Sequence, residues 1–353
     1  MQHLENPFRG KATGPMGLDG VPFPASDAAP VLTLLARCPQ ARATPVVAAP
    51  ALAAMAGVGS LHIKDERGRM GLGSFKALGA AYVIACDAVA AAKGGDLAKA
   101  LAGRTYVTAS AGNHGMSVAA GARVFGAGAV VYIAETVPES FAARLRAKGA
   151  DVVREGAEYE ASMAASEKAA GQNGWQLLSD SSWPGYMEVP HRLMEGYLAM
   201  AEEAADALDE APSHIFLQAG VGGLAGAVAA HARARWGRGP SIVVVEPAAA
   251  SALYEGIRAG RPVLTEGPVS VMGRLDCKMP SLIALKGLAR DADHFMTITE
   301  AEAEAAMAPL AEAGFATTPS GGAGLAGLFA ARGAFGLNGQ SRVLTFLSEG
   351  PEA

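Results

Sequence analysis

The sequence predicts an α/β fold built from mostly parallel sheets flanked by helices, and three observations point to it. Short apolar runs alternate along the chain with helix-forming stretches. The runs are β-branched and nearly continuous rather than alternating, which is the pattern of parallel strands buried on both faces. With 353 residues, half of them hydrophobic and only 18% charged, the chain is too long for one small core. Two domains, or one large domain with an insertion, are expected.

Residues 1–45 are irregular and Pro-rich, and read as a wrapping arm with a short helix near 30–37. Strands are expected at 105–108 (TYVT), 129–134 (AVVYIA), 151–153 (DVV), 214–217 (HIFL), 241–245 (SIVVV) and 343–347 (VLTFL). Stretches such as 116–125 and 140–148 lie between them as helices. The Ala-rich segments 88–92, 161–170 and 301–313 are helices too, since Ala is the strongest helix former. Alternation of this kind implies right-handed crossovers. The 44 glycines suit many tight strand-to-helix turns.

Composition excludes several functions. A net charge of -5 provides no basic face for nucleic acid. Three cysteines in so long a chain are no disulfide scaffold and lack metal-ligand spacing, so no metal is expected and the compartment reads as a reducing cytoplasm. Residues 1–20 lack a basic segment followed by an apolar run, so no signal peptide is expected. Nor does any uninterrupted apolar stretch reach the roughly 20 residues of a membrane span.

Four glycine turns follow strands, and in open α/β sheets ligands bind at those carboxyl ends. Residues 218–226 (QAGVGGLAG) leave backbone N–H groups bare at a helix N-terminus, fitted to a phosphate or equally to close helix–strand packing. The turn 110–115 (SAGNHG) joins an amide, an imidazole and bare N–H groups, and either binds a carboxylate or simply starts a helix. A third turn is 319–324 (PSGGAG). In the fourth, 347–350 (LSEG), Ser348 either bonds a heteroaromatic nitrogen or is a C-terminal turn residue with no further duty. Lys76 stands alone in the small and apolar run 71–82 (GLGSFKALGAAY). Such a lysine either snorkels to the surface or lies buried with a lowered pKa, as a nucleophile toward an aldehyde. A phosphate cradle, a carboxylate turn, a terminal serine and this lysine together describe a site for an aldehyde-bearing phosphorylated cofactor, pyridoxal 5'-phosphate.

On these segments the chain resembles the fold-type II pyridoxal-phosphate enzymes, the tryptophan-synthase β-like superfamily, and within it most nearly the diaminopropionate ammonia-lyases. The matching stretches are 64–82, 111–115, 179–190, 217–226, 243–247, 273–281 and 347–350 in family order, covering most of the chain from Lys64 onward. The resemblance implies that Lys76 carries the covalent link to the cofactor and Asn113 bonds its ring hydroxyl. It implies that Gly220, Val221, Gly222, Gly223 and Leu224 hold the phosphate. Ser348 would face the ring nitrogen; a neutral serine does not enforce ring protonation, which suits β-elimination. Ser110, Ala111, Gly112 and His114 would form the substrate-carboxylate loop, and Asp180 would be a second acid/base. Asp180 also has a bland alternative, as the cap of a helix after Pro184 or a solvated loop acid.

Two departures stand out. The ammonia-lyases carry an aspartate where this chain has Ala111, which argues against D-isomer substrates and moves the loop toward threonine and serine dehydratases. Arg274 and Lys278 flank Cys277, where the family has small residues and an acid; they read as solvated loop charge or as recognition of a second negative group.

The implied function is α,β-elimination from a β-substituted L-amino acid, either 2,3-diaminopropionate or a 3-hydroxy amino acid, to a 2-oxo acid and ammonia. The alternatives are a β-replacement synthase or racemase on the same scaffold, or a non-catalytic binding protein. The implied architecture is a larger domain of residues 1–85 and 192–353, a smaller domain of 86–191, the cofactor between them, and a homodimer without nucleic-acid or membrane partners.

Overall fold

A computed structural model describes residues 1–11, 14–38, 40–110 and 112–351. The strands form two sheets. The larger has seven strands, in spatial order β1 (Gln2–Glu5), β10 (His294–Ile298), β9 (Ser241–Pro247), β8 (His214–Gln218), β11 (Arg342–Leu347), β3 (Ser60–Asp65) and β2 (Val46–Ala48). Its inner pairings are parallel, and only the edge strands β1 and β2 run antiparallel. The smaller sheet is wholly parallel, in the order β6 (Asp151–Arg154), β5 (Gly128–Ile133), β4 (Thr105–Ala109) and β7 (Gln176–Leu177).

The continuous apolar runs have the expected cause. On β9, Ile242 and Val244 enter one core while Val243 and Val245 enter another on the opposite face. Leu344 and Phe346 of β11 likewise oppose Val343 and Leu347. The first core packs α8 (Leu198–Asp206), α9 (Gly223–Trp236) and α11 (Leu282–Asp291) against the large sheet. The second packs α2 (Pro50–Ala56), α12 (Glu300–Ala305), α13 (Met307–Glu312) and α14 (Ala323–Ala330). The first core runs on through α3 (Lys76–Ala92), α4 (Asn113–Val124) and α7 (Glu188–Gly196) into the small sheet, whose outer face is covered by α6 (Tyr159–Asn173). The remaining helices are α1 (Ala29–Leu35), α5 (Glu139–Ala147) and α10 (Ala252–Ala259).

The expected strands at 105–108, 129–134, 151–153, 214–217, 241–245 and 343–347 each coincide with an observed strand to within two residues at either end. The arm is less irregular than its composition: β1 pairs with β10, and buried Asn6 donates from Nδ2 to the carbonyls of Leu288, Ala289 and Ala292. A proline-rich composition hides such edge pairing, because the strand is held through main-chain bonds to a distant partner. The expected divisions at 85–86 and 191–192 fall inside α3 and α7, which pack closely on each other at Gly79 and Gly196.

Candidate active site

Lys76 opens α3 at the end of the loop that leaves β3. That loop is pinned at its base by a buried ionic cluster. Arg69 donates to Glu66 at 2.7 and 2.8 Å and to Glu203 at 2.6 and 3.0 Å, while Lys64 donates to Glu203 at 2.6 Å. The side chains of Lys64, Glu66 and Arg69 are all but fully buried. Four opposite charges cancelling in one pocket let a basic strand residue sit in the core. Burial lowers the Lys64 amine against the pull of Glu203 and Glu66.

The far end of the loop is zipped to the C-terminal segment. Phe75 N donates to Ser348 O at 3.1 Å and Gly350 N to Gly73 O at 3.0 Å. Lys76 and Ser348, 272 positions apart, are thereby neighbours at the end of β11.

The Lys76 ammonium donates to Asp180, and both groups are partly buried. This reverses the expectation of a lowered lysine pKa. Burial pushes the amine down, but the Asp180 carboxylate outweighs it and holds the amine well above its ordinary value. Burial in turn raises Asp180, and the charge of Lys76 beside it overcomes that and holds the carboxyl well below its ordinary value. Asp180 caps no helix, since α7 begins only at Glu188 with Met187 ahead of it. Its segment is fixed by Ser182, which is buried and shares a 2.7 Å hydrogen bond with the Ser281 hydroxyl. Ser281 N in turn donates to Val221 O at 3.0 Å, so the acid is tied to the glycine loop.

That loop, with Gly220, Val221, Gly222, Gly223 and Leu224, lies between β8 and the N-terminus of α9. Gly222 has φ +99, and a Cβ there would lie 2.9 Å from Ala284 Cβ and from Leu253 Cδ1. A Cβ on Gly220 would lie 3.0 Å from Cys277 Sγ. A side chain has no room at either position, so the amides stay bare at a positive helix end, a ready anion site. Burial pushes the Cys277 thiol up to about 12, leaving it neutral beside that cradle.

On the small-sheet side the turn after β4 leads into α4. Ser110 Oγ accepts from Gly112 N at 3.2 Å. Ala111 lies outside the described residues. Asn113 donates from Nδ2 to Glu349, which also accepts from Thr318 and, at 2.9 Å, from Arg274 Nη1. His114 is buried, with Nε2 2.8 Å from Leu178 O. A carbonyl accepts only, so Nε2 carries the proton and Nδ1 is left as a buried acceptor with no partner among the described residues. Burial lowers the imidazole pKa and keeps it neutral.

Arg274 is no solvated charge: besides pairing with Glu349, its Nε lies 3.8 Å from where a Cβ on Gly112 would stand. Lys278 is consumed structurally, donating to Ala249 O, Pro268 O and Asp276. The turn at 319–324 also joins the site, for Gly321 O accepts from Ser348 N at 3.2 Å and Ser320 Oγ from Arg274 N at 3.1 Å. Two neighbours escaped the sequence reading. Glu349 stood in the quoted LSEG turn without a role, and Tyr197 is lost in an apolar helical run with no local signal.

The residues fit pyridoxal phosphate. A cradle with no room for a side chain at Gly220 or Gly222 meets a partly buried lysine, and His114 and Tyr197 each carry a buried polar atom with no partner among the described residues. Residues 38–349 match the family of pyridoxal-phosphate dependent enzymes. The diaminopropionate ammonia-lyase of Salmonella typhimurium is 34% identical over 274 residues, 72% of this chain and 68% of that protein. The L-serine dehydratase/L-threonine deaminase of Homo sapiens is 28% identical over 207 residues, 57% of this chain and 60% of that protein. The crystal structure of Escherichia coli diaminopropionate ammonia lyase with an aminoacrylate-PLP azomethine intermediate superposes with a TM-score of 0.86 at 27% identity, over 99% of this chain and 93% of that one. The chain therefore belongs to the pyridoxal-phosphate dependent enzyme family, with the fold of its fold-type II members, and is a β-eliminating lyase of the ammonia-lyase and dehydratase kind.

Proposed function

We propose that the substrate is a β-substituted L-amino acid, 2,3-diaminopropionate or a 3-hydroxy amino acid of the serine, threonine or phenylserine type. The products are a 2-oxo acid and ammonia. The observation that supports this most directly is the Lys76–Asp180 pair, whose acid is tied to the glycine cradle through Ser182, Ser281 and Val221. When bound, the cofactor supplies the electron sink for charge developing at Cα.

This chain's residues do the rest. Lys76 would hold the cofactor through Nζ, and its amine would be free for proton transfer once substrate is bound. The amides of Gly220, Val221, Gly222, Gly223 and Leu224 hold the phosphate. Asn113 would bond the ring hydroxyl and Ser348 would face the ring nitrogen. Ser110, Ala111, Gly112 and His114 orient the substrate carboxylate, with His114 fixed to Leu178 behind it. The freed Lys76 amine takes the Cα proton, and Asp180 steadies the resulting ammonium. That ammonium then hands a proton to the departing amine or hydroxyl. A hydroxyl leaving group is favoured by Ala111, where the ammonia-lyases it resembles carry an aspartate.

The two sheets support a larger domain (1–85 and 192–353) and a smaller one (86–191), joined through α3 and α7. The unbridged Cys38, Cys86 and Cys277 accord with a cytoplasmic location. No helix among the described residues is long and apolar enough to cross a membrane.

The test is a panel of L- and D-amino acids with coupled detection of ammonia and oxo acid. We expect release from an L-β-substituted member and none after Lys76→Ala. Thioether products, or D-amino acids formed without ammonia, would instead identify the synthase or the racemase.

A further inference from the structure

Tyr197, between α7 and α8, is 1% exposed. Its ring tilts against Phe75, the residue before the lysine, with centroids 4.8 Å apart. One edge meets α3: a Cβ on Gly79, one turn beyond Lys76, would lie 2.8 Å from Cε1. The other edge meets the first residue of α9: a Cβ on Gly223 would lie 3.4 Å from Cε2. The ring is thus wedged between the lysine helix and the phosphate cradle.

Its hydroxyl is buried and has no hydrogen-bond partner among the described residues. A buried hydroxyl left unpaired costs free energy that phenylalanine, filling the same slot, would not incur. Burial keeps the phenol protonated, and the charges acting on it are those of Lys76 and Asp180.

Asp180 can accept from Lys76 in either form, but it has no proton to offer the lone pair of the neutral amine, because a carboxylate only accepts. On the elimination reading above, on which this inference rests, Lys76 must be a neutral amine when it takes the Cα proton. A phenol serves both forms, accepting from the ammonium and donating to the amine. The four-carbon lysine stem, one turn from Gly79 on the same helix face, allows the amine to swing from Asp180 toward the ring. We propose that Tyr197 is a positioning residue: its hydroxyl donates to Lys76 Nζ whenever the lysine is neutral and turned away from Asp180.

The test is Tyr197→Phe in the full chain, with three readouts. The melting temperature should be unchanged or higher, because an unpaired buried hydroxyl has been removed. The rate of pyridoxal phosphate uptake, followed by absorbance, should fall about tenfold, and kcat by about 10- to 100-fold at nearly constant KM. Wild-type uptake and kcat in the variant would overturn the proposal, as would a lowered melting temperature with losses in proportion, which is the mark of a packing role. Uptake reads the lysine amine without substrate. If the wild type releases no oxo acid from any amino acid, the elimination reading fails while the uptake comparison still decides the role of Tyr197.

Discussion

The charge on Lys76 depends on one neighbour. Burial alone would favour the neutral amine, and Asp180 overrides it. Asparagine at 180 keeps the shape and removes the override, so burial should pull the amine below its ordinary value. The pH midpoint of pyridoxal phosphate uptake should then move down in Asp180→Asn, because the reactive amine forms at lower pH. With no anion to steady the lysine ammonium, kcat should fall by about 10²–10⁴-fold while bound cofactor remains visible by absorbance. Stability follows the same signs. Asp180, held below its ordinary value, contributes above that value and loses its contribution as acid passes the depressed pKa. Lys76, held above its ordinary value, contributes below that value and loses it as alkali passes the raised pKa. A midpoint uptake pH that does not move would detach the acid from the lysine's ionisation.

Two elements hold the lysine and the cradle in place. In the loop between β3 and α3, removing Arg69 would leave Lys64 as the one cation against the carboxylates Glu66 and Glu203 among the described residues of this cluster. We expect Arg69→Met to cost about 3–5 kcal/mol in denaturant unfolding, and a loss below 1 kcal/mol would show that the cluster relaxes or takes up protons. In the turn before α9, Gly222→Ala would force a left-handed backbone on an alanine and drive its Cβ against Leu253 and Ala284. A cost of about 1–3 kcal/mol should come with roughly tenfold weaker cofactor binding, read by absorbance titration. Equal affinity would mean that the cradle amides do not hold the phosphate. The glycine spacing made this turn legible in sequence. Strand β3 was not, because Lys64 interrupts its apolar run and its burial relies on a carboxylate, Glu203, 139 positions away.

At the scale of the whole molecule, the segment 261–281 presents Leu264, Val269, Val271 and Met279 to solvent beside Arg274 and Cys277. Such a cluster of exposed apolar side chains is the kind of surface another chain covers. We expect a homodimer in light scattering, and a shift toward monomer on the double substitution Leu264→Asp and Val269→Asp. An unchanged mass would place the contact elsewhere.

Local chemistry was enough for the sequence to determine the α/β class, the buried parallel strands, the glycine cradle and the lysine, since each depends on periodicity, turn residues or a short motif. Tertiary structure alone decided the partners: Asp180 on Lys76, Glu349 between Asn113 and Arg274, Tyr197 behind the lysine helix, and β1 on the sheet edge. These are contacts across tens to hundreds of positions. The ionisation of Lys76 is set by which charge the fold brings against it, and no local pattern of residues encodes that.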